Sequence, residues 1–356
     1  MLVDTRLTRT LVVVVAVVLL ALLASGASAS GNASGGTSQT PRFVWGAWIG
    51  DQFTGSDAPW SWDAVTQFEA KNTGGRHVNA VHWGVWTPWQ HEFNYWLGPF
   101  NAVRNAGALS VVDVVTGHAP LRKVAKGVFD PSLRRWAAEA AAWGYPFLLR
   151  FDFEMNGQWY PWGTRPRNGN TPADFVRAWR HVHHIFTAAG ATNAQWVWCP
   201  NIDPYHEMTS LARLYPGPSF VDWTCLDGYN FGKSWMSFTK IYQSTYRQIL
   251  HIAPTKPMIV GEVASTGRGG SKARWIRGMF HALDTHFRRI RGLLWWDQFG
   301  MQGTRRLDWP IETSRAASAA FRRGIGSTLA KRCRGLAGAA RAICVGHATE
   351  SPSAHG

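Results

Sequence analysis

Eight short apolar runs, separated by longer amphipathic segments, punctuate the chain from residue 43 onward and limit what it can fold into. They are Phe43 to Gly50, Val78 to Trp86, Leu109 to Val115, Pro146 to Phe153, Gln195 to Cys199, Val221 to Leu226, Met258 to Val263 and Leu293 to Trp296. Helix signals fill the gaps. Asp130 reads as an N-cap with Pro131 at the first helical position, Leu133, Trp136, Ala137, Ala140 and Ala141 make one apolar face, and Gly144 ends it. Thr171-Pro172-Ala173-Asp174 opens another helix, in which Phe175, Trp179, Val182, Phe186 and Ala189 recur at helical spacing before Gly190. Further helices read at Trp62 to Ala70, Phe238 to Ile252, Ser271 to Phe287 and Ser314 to Ile325; those after the second and fifth runs are less distinct. Strands joined by helical crossovers run parallel. Eight of them in a stretch of about 250 residues or more match an α/β chain of the (β/α)₈ TIM barrel type. A doubly wound open sheet is the competing arrangement, but no G-x-G-x-x-G loop follows the first run.

Flanking segments give the expected domain organisation. Residues 1–29 read as an export signal, with Arg6 and Arg9 ahead of the apolar run Leu11 to Leu23 and a small-residue site at Ala27-Ser28-Ala29. The run is short for a bilayer span, so a cleaved signal is expected over an uncleaved anchor. Cleavage would leave no stable membrane insertion and a protein that is secreted or held at the cell envelope. Residues 30–41, rich in Gly, Ser and Thr, read as a flexible linker, 42–327 as the barrel, and 328–356 as a basic tail. Cys333 and Cys344 are expected to close a loop in that tail; Cys199 and Cys225 fit either a disulfide or two buried thiols. No cysteine or histidine spacing suits a metal, and His181, His183 and His184 share one helical stretch, so no metal is expected. The net charge of +15 comes largely from scattered arginines and the tail; it would suit attraction to acidic envelope polymers, but a merely Arg-rich composition is the favoured account. Nucleic acid is excluded as a partner by the absence of a binding motif and by the export signal. A monomer is expected.

Among the glutamates, Glu69, Glu92, Glu139, Glu207, Glu312 and Glu350 fall in helical, loop or tail segments, whereas Glu154 and Glu262 end the fourth and seventh runs. In a parallel barrel the strand ends form the active face. A carboxylate there is partly desolvated, which is tolerated when it is paired or functional. The plain alternative is a rim salt bridge, with Arg150 as a partner for Glu154. Two carboxylates converging from different strands provide what glycosidic cleavage needs, a proton donor to the departing oxygen and an anion facing the anomeric carbon. Phe153, Met155 and Trp159 give Glu154 an apolar setting that favours its protonated form, as a proton donor requires. Gly261 leaves room for close approach of backbone or sugar at Glu262, where Arg150 and a tyrosine hydroxyl would favour the carboxylate; Asn156 and Gly157 form a turn folding Trp159 over the cleft. The 21 Trp are unusual; a Trp-rich core accounts for more than half of them, and any surplus suits stacking on sugar rings. Trp45, Trp48, His82, Trp83, Asn201, Asp203, Asp297 and Gln298 lie at other strand ends, where rim packing and sugar binding are the competing roles; His82, Asn201, Arg150, Trp159 and Trp162 are taken as substrate-binding candidates.

The stretches FEMNGQWYPWG, GEVAS, CLDGYN and LLWWDQF resemble glycoside hydrolase family 26, of the clan of retaining barrel enzymes, over most of residues 42–327. The resemblance implies that Glu154 is the acid/base, Glu262 the nucleophile, and Tyr229 the hydroxyl that donates to it. It implies further that Trp295 forms the floor under the reacting sugar and that Trp159 stacks near the bond cleaved. Family members usually carry His just before the acid/base; this chain has Phe153. The implied activity is retaining, endo-acting hydrolysis of a β-linked polysaccharide without a cofactor, with β-1,4-mannan the leading substrate. Mixed-linkage glucan and xylan are alternatives within the family, and a catalytically silent carbohydrate-binding barrel is the alternative outside enzymology.

Overall fold

The computed structural model describes residues 41–86, 88–203 and 207–346. The expected export signal, the linker up to residue 40 and the last residues of the tail lie outside them. Eight parallel strands close into a barrel in sequence order, each hydrogen-bonded to the next and β8 back to β1. They are β1 (Val44–Ile49), β2 (Ala80–Trp86), β3 (Leu109–Val115), β4 (Phe147–Phe151), β5 (Ala194–Trp198), β6 (Trp223–Asn230), β7 (Met258–Ser265) and β8 (Ile290–Asp297). The α-helices between them are α1 (Trp62–Phe68), α2 (Leu97–Asn105), α3 (Leu121–Ala125), α4 (Asp130–Trp143), α5 (Pro172–Ala188), α6 (Phe238–Ile252) and α7 (Lys272–Thr285). After β5, among the described residues, two short 3₁₀ turns, Leu211–Arg213 and Pro218–Phe220, take the place of a helix.

Local chemistry explains most of these limits. Thr171 caps α5 through a reciprocal pair with Asp174, satisfying two backbone donors that a helix start leaves open. Asp130 does not cap α4. It is the first helical residue, behind Phe129, and its carboxylate instead takes His181 Nε2 at 2.6 Å and Arg134 at 3.0 Å.

β8 is followed by a small antiparallel hairpin, β9 (Gly300–Gln302) and β10 (Arg305–Leu307), and then by α8 (Arg315–Arg332) and α9 (Gly338–Val345). The tail is therefore part of the barrel body from 328 to 346. α8 continues past residue 327 because Thr328 and Leu329 are buried on its inner face. A Cys333–Cys344 disulfide folds α9 back, and His77 N donates to Gly346 O at 2.8 Å. Among the described residues no helix is long and apolar enough to cross a membrane.

Candidate active site

β4 stops at Phe151, three residues short of Glu154. The chain then turns through Asp152 and Glu154 with φ of 43° and 54°, a region that costs a non-glycine residue about 1–3 kcal/mol. The surroundings hold the turn in place. Asp152 accepts from Thr116 N at 2.7 Å and Thr116 Oγ1 at 3.0 Å, Glu154 N donates to Cys199 O at 2.7 Å, and Trp162 Nε1 donates to Phe153 O at 2.7 Å. The turn delivers the Glu154 carboxyl to the barrel mouth, where Asn201 Nδ2 and Trp159 Nε1 donate to its two oxygens.

Glu262 lies inside β7, directly after a bulge: the register with β6 steps from Leu226 opposite Val260 to Asp227 opposite Glu262, leaving Gly261 as the extra residue. Its Oε2 accepts the Tyr229 hydroxyl, and its Oε1 accepts Arg150 Nη1 at 3.0 Å. Arg150 is fully buried and also meets Asp113 at 3.0 Å, His82 Nε2 at 2.6 Å and, through Nη2, Asp227. Burial disfavours the guanidinium charge, but Asp113, Asp227 and Glu262 more than offset that and hold it above its ordinary range. The rim salt bridge weighed for Glu154 is thus directed at Glu262 instead. One oxygen each from Glu154, Asp227 and Glu262 fall within 4.8 Å of one another, as do ligand atoms of His82, Asp113 and Glu262. Arg150 contacts Asp113, Asp227, Glu262 and His82, so its fixed charge already does for them what a cation would.

Burial first, and then the neighbouring Glu262 charge, push the Glu154 carboxyl up to about 8, against the opposing pull of Asn201, Trp159 and Arg150. Both glutamates are buried, but only Glu262 touches the Arg150 guanidinium, so their electrostatic surroundings differ. Above them opens a cavity of about 720 Å³ whose lining includes Trp159, Tyr160, Tyr229, Trp296 and Trp309.

A glycosyl hydrolase family 26 model matches residues 72–271. The chain belongs to that family. It is 32% identical over 290 residues to Endoglucanase H of Acetivibrio thermocellus, an alignment covering 79% of this chain and 30% of that protein. It is 29% identical over 133 residues to a mannan endo-1,4-beta-mannosidase of Bacillus subtilis, covering 36% of this chain and 33% of that one. The chain therefore spans only about a third of the length of these relatives. Its fold is similar to a Cellulomonas fimi endo-beta-1,4-mannanase, with TM-score 0.60 and 17% identity over 79% of this chain and 70% of that one. It also matches the catalytic domain of a Bacillus sp. JAMB-750 family 26 mannanase, with TM-score 0.59 and 16% identity over 81% and 86%.

Within this family 26 barrel several expected contacts fall elsewhere. Trp295 is fully buried on the outer side of β8, its Nε1 donating to Trp309 O at 3.1 Å, with Trp275 and Phe321 around it. The adjacent Trp296 lines the cavity instead, stacked on Trp48 at 4.7 Å. Trp162 is buried beneath Tyr160, stacked at 4.5 Å, so Tyr160 and not Trp162 faces the cavity. His82 is buried with Asp113 and Arg150 and supports the site from below. Asp297 accepts Ile311 N at 2.8 Å and anchors the segment after the hairpin. Trp45 and Trp83 point outward into the helix layer, Trp83 against Phe100.

Asn201 and Trp159 do reach the cavity; Trp159 is 47% exposed. Gly157 lies under the Trp159 ring, where a Cβ would come within 2.5 Å of it. Gly261 makes room for neither sugar nor backbone but for the Cys199–Cys225 disulfide: a Cβ there would meet Cys225 Sγ at 2.3 Å and Asp227 Oδ1 at 2.7 Å. Phe153, where the resemblance implies a histidine, has its ring 4.7 Å from the Arg150 guanidinium. Trp309, stacked on Tyr229 at 4.6 Å, and Asp227 were not singled out from sequence. Trp309 follows an irregular hairpin with no periodicity to mark it, while Asp227 sits in the same CLDGYN stretch as Tyr229.

Proposed function

We propose that this family 26 chain is an exported, endo-acting, retaining glycoside hydrolase that cleaves a β-linked polysaccharide, with β-1,4-mannan as its leading substrate. The observation that carries the reading is the pair Glu154 and Glu262, with oxygens within 4.8 Å, close to the separation of about 5–5.5 Å that double displacement uses. Glu154, protonated, gives its proton to the departing glycosidic oxygen as Glu262 attacks the anomeric carbon and forms a glycosyl ester. Glu154, now a carboxylate, then takes a proton from water, and the resulting hydroxide equivalent displaces Glu262. Tyr229 and Arg150 hold Glu262 in line for attack. Trp296 supplies an apolar face beneath the ring. Proton transfer and carboxylate attack come from these side chains, so the reaction as written requires no cofactor.

A β-glucan is the second reading, favoured by the relative that aligns with most of this chain and bears the name endoglucanase. The test is incubation with mannan, glucomannan, mixed-linkage glucan and xylan, alongside Glu154→Gln and Glu262→Gln variants. Product from mannan that disappears in both variants supports the reading. Release that survives both substitutions refutes the assigned carboxylates, binding without release from any polymer leaves a silent barrel, and an initially inverted anomer by proton NMR excludes retention.

A further inference from the structure

The cleft occupies one end of the barrel; the other end, where the strands begin, carries a concentration of arginine that the reaction does not use. Arg42 precedes β1, and Arg289 and Arg291 flank the first residue of β8. Together with Trp223, the first residue of β6, they line a groove of about 310 Å³, at the lower end of the roughly 300–1,000 Å³ typical of ligand sites. Two of these arginines are positioned by backbone: Arg42 Nη1 donates to Arg334 O at 3.2 Å and Arg289 Nη2 to Pro254 O at 2.5 Å. Neither is in an ion pair with a described residue, and Arg291 is exposed and makes no hydrogen bond to one. The charge extends onto α8, where burial and the like charges of Arg291 and Arg288 lower the Arg332 guanidinium from its ordinary value against the pull of Asp284.

Acidic compensation on this face is small. Asp284 is held by Lys331 and Thr328, and Asp222 spends one oxygen on Trp196 N at 2.8 Å. Three guanidiniums with spare N–H forks around one indole form an anion site with an aromatic wall. Trp223 Nε1 is tied to Gln195 Oε1 at 2.8 Å, which fixes the ring and leaves its face to offer.

We propose that this groove binds an anionic polysaccharide whose rings bear carboxylates, a uronic acid polymer, with carboxylates on Arg42, Arg289 and Arg291 and a pyranose face on Trp223. A polymer of bare phosphates would use the arginines but not the indole. Because the groove opens opposite the cleft, the protein can be held on an acidic matrix while a neutral chain enters the active site. The site does not depend on the assigned carboxylates, so it can stand or fall separately from the hydrolase reading.

Affinity electrophoresis of the purified protein through gels containing polygalacturonate, polyphosphate or neutral mannan tests this, with Arg289→Gln/Arg291→Gln and Trp223→Leu variants. Polygalacturonate is expected to retard the protein, with the effect lost as salt reaches about 0.3 M, where exposed charges are screened within a few ångströms. The double arginine variant, at exposed side chains, should bind about tenfold more weakly, equivalent to roughly 1.4 kcal/mol, with hydrolysis of a soluble neutral polymer unchanged. Trp223→Leu, checked for folding by its melting curve, should weaken polygalacturonate alone. Unchanged retardation in the double variant overturns the site, and polyphosphate bound as tightly as polygalacturonate overturns its sugar assignment.

Discussion

Arg150 Nη1 lies 3.0 Å from Glu262 Oε1, beneath the barrel mouth and shielded from water. The same guanidinium meets Asp113 and Asp227, so one cation from β4 ties together acidic groups from β3, β6 and β7. Removing it strands several buried carboxylates. Arg150→Gln should therefore destabilise the protein by about 3–5 kcal/mol, seen as a lower midpoint of urea unfolding, and should cut kcat as well. A variant with unchanged unfolding would show that these carboxylates do not depend on Arg150.

Glu154, raised by burial to about 8, stays protonated through neutral pH. kcat/KM should therefore fall on the alkaline side with a midpoint near 8, as the acid loses its proton. Asp152, buried beside Thr116, is also pushed up to about 8, so Asp152→Asn serves as the control and should keep the limb that Glu154→Gln loses. Stability follows the same sign. A carboxyl whose folded value exceeds its unfolded one contributes fully below about pH 4, and the contribution is lost as pH rises toward 8. Glu154→Gln should then melt higher than the parent at pH 9 and nearly alike at pH 4. A parent limb near the ordinary carboxylate value would sink the desolvation argument.

Tyr229 donates its hydroxyl to Glu262 and stacks on Trp309. Tyr229→Phe keeps the stack and removes only the donor. A hydrogen bond to a charged group contributes about 1.5–3 kcal/mol, so kcat should fall roughly 10- to 100-fold with little change in melting temperature. Equal kcat in parent and variant would make the hydroxyl dispensable.

The barrel was legible in sequence because each strand is a buried apolar run and each crossover carries its own caps, as at Thr171 and Asp174. Glu262 was legible because the apolar run Met258 to Val260 leads directly to it, although β7 continues to Ser265 and its register shifts just before the glutamate. Glu154 was found but misplaced: the turn at Asp152 and Glu154 uses positive φ without a glycine to announce it, and it is held by contacts distant in sequence, among them those from Val114, Thr116 and Cys199. The tryptophans were harder. Register shifts between β7 and β8 at Met258/Val260 and Val260/Val263 displace the inward and outward alternation, so period-two counting could not decide between Trp295 and Trp296.

Gly157 supports Trp159 by having no side chain. Its Cβ would sit 2.5 Å from the indole, so Gly157→Ala must push the ring away and break the Nε1 donation to Glu154. Because that bond favours the carboxylate, its loss should move the alkaline limb of kcat/KM upward while raising KM for polymer. An unchanged profile and KM would mean that the indole is not held by this glycine.

The neighbouring tryptophans of β8 should separate cleanly by substitution. Trp295 is buried among Trp275 and Phe321, and truncating it removes core packing; Trp295→Ala should cost about 3–5 kcal/mol of stability. Trp296, half-buried on the cavity side and stacked on Trp48, is the apolar face on which the proposed substrate would rest. Trp296→Ala should leave the fold far less affected and reduce kcat/KM by one to two orders of magnitude, roughly 1.4–2.8 kcal/mol of transition-state binding. Measured side by side by thermal melting and steady-state kinetics, the reverse pattern would return the floor of the site to Trp295.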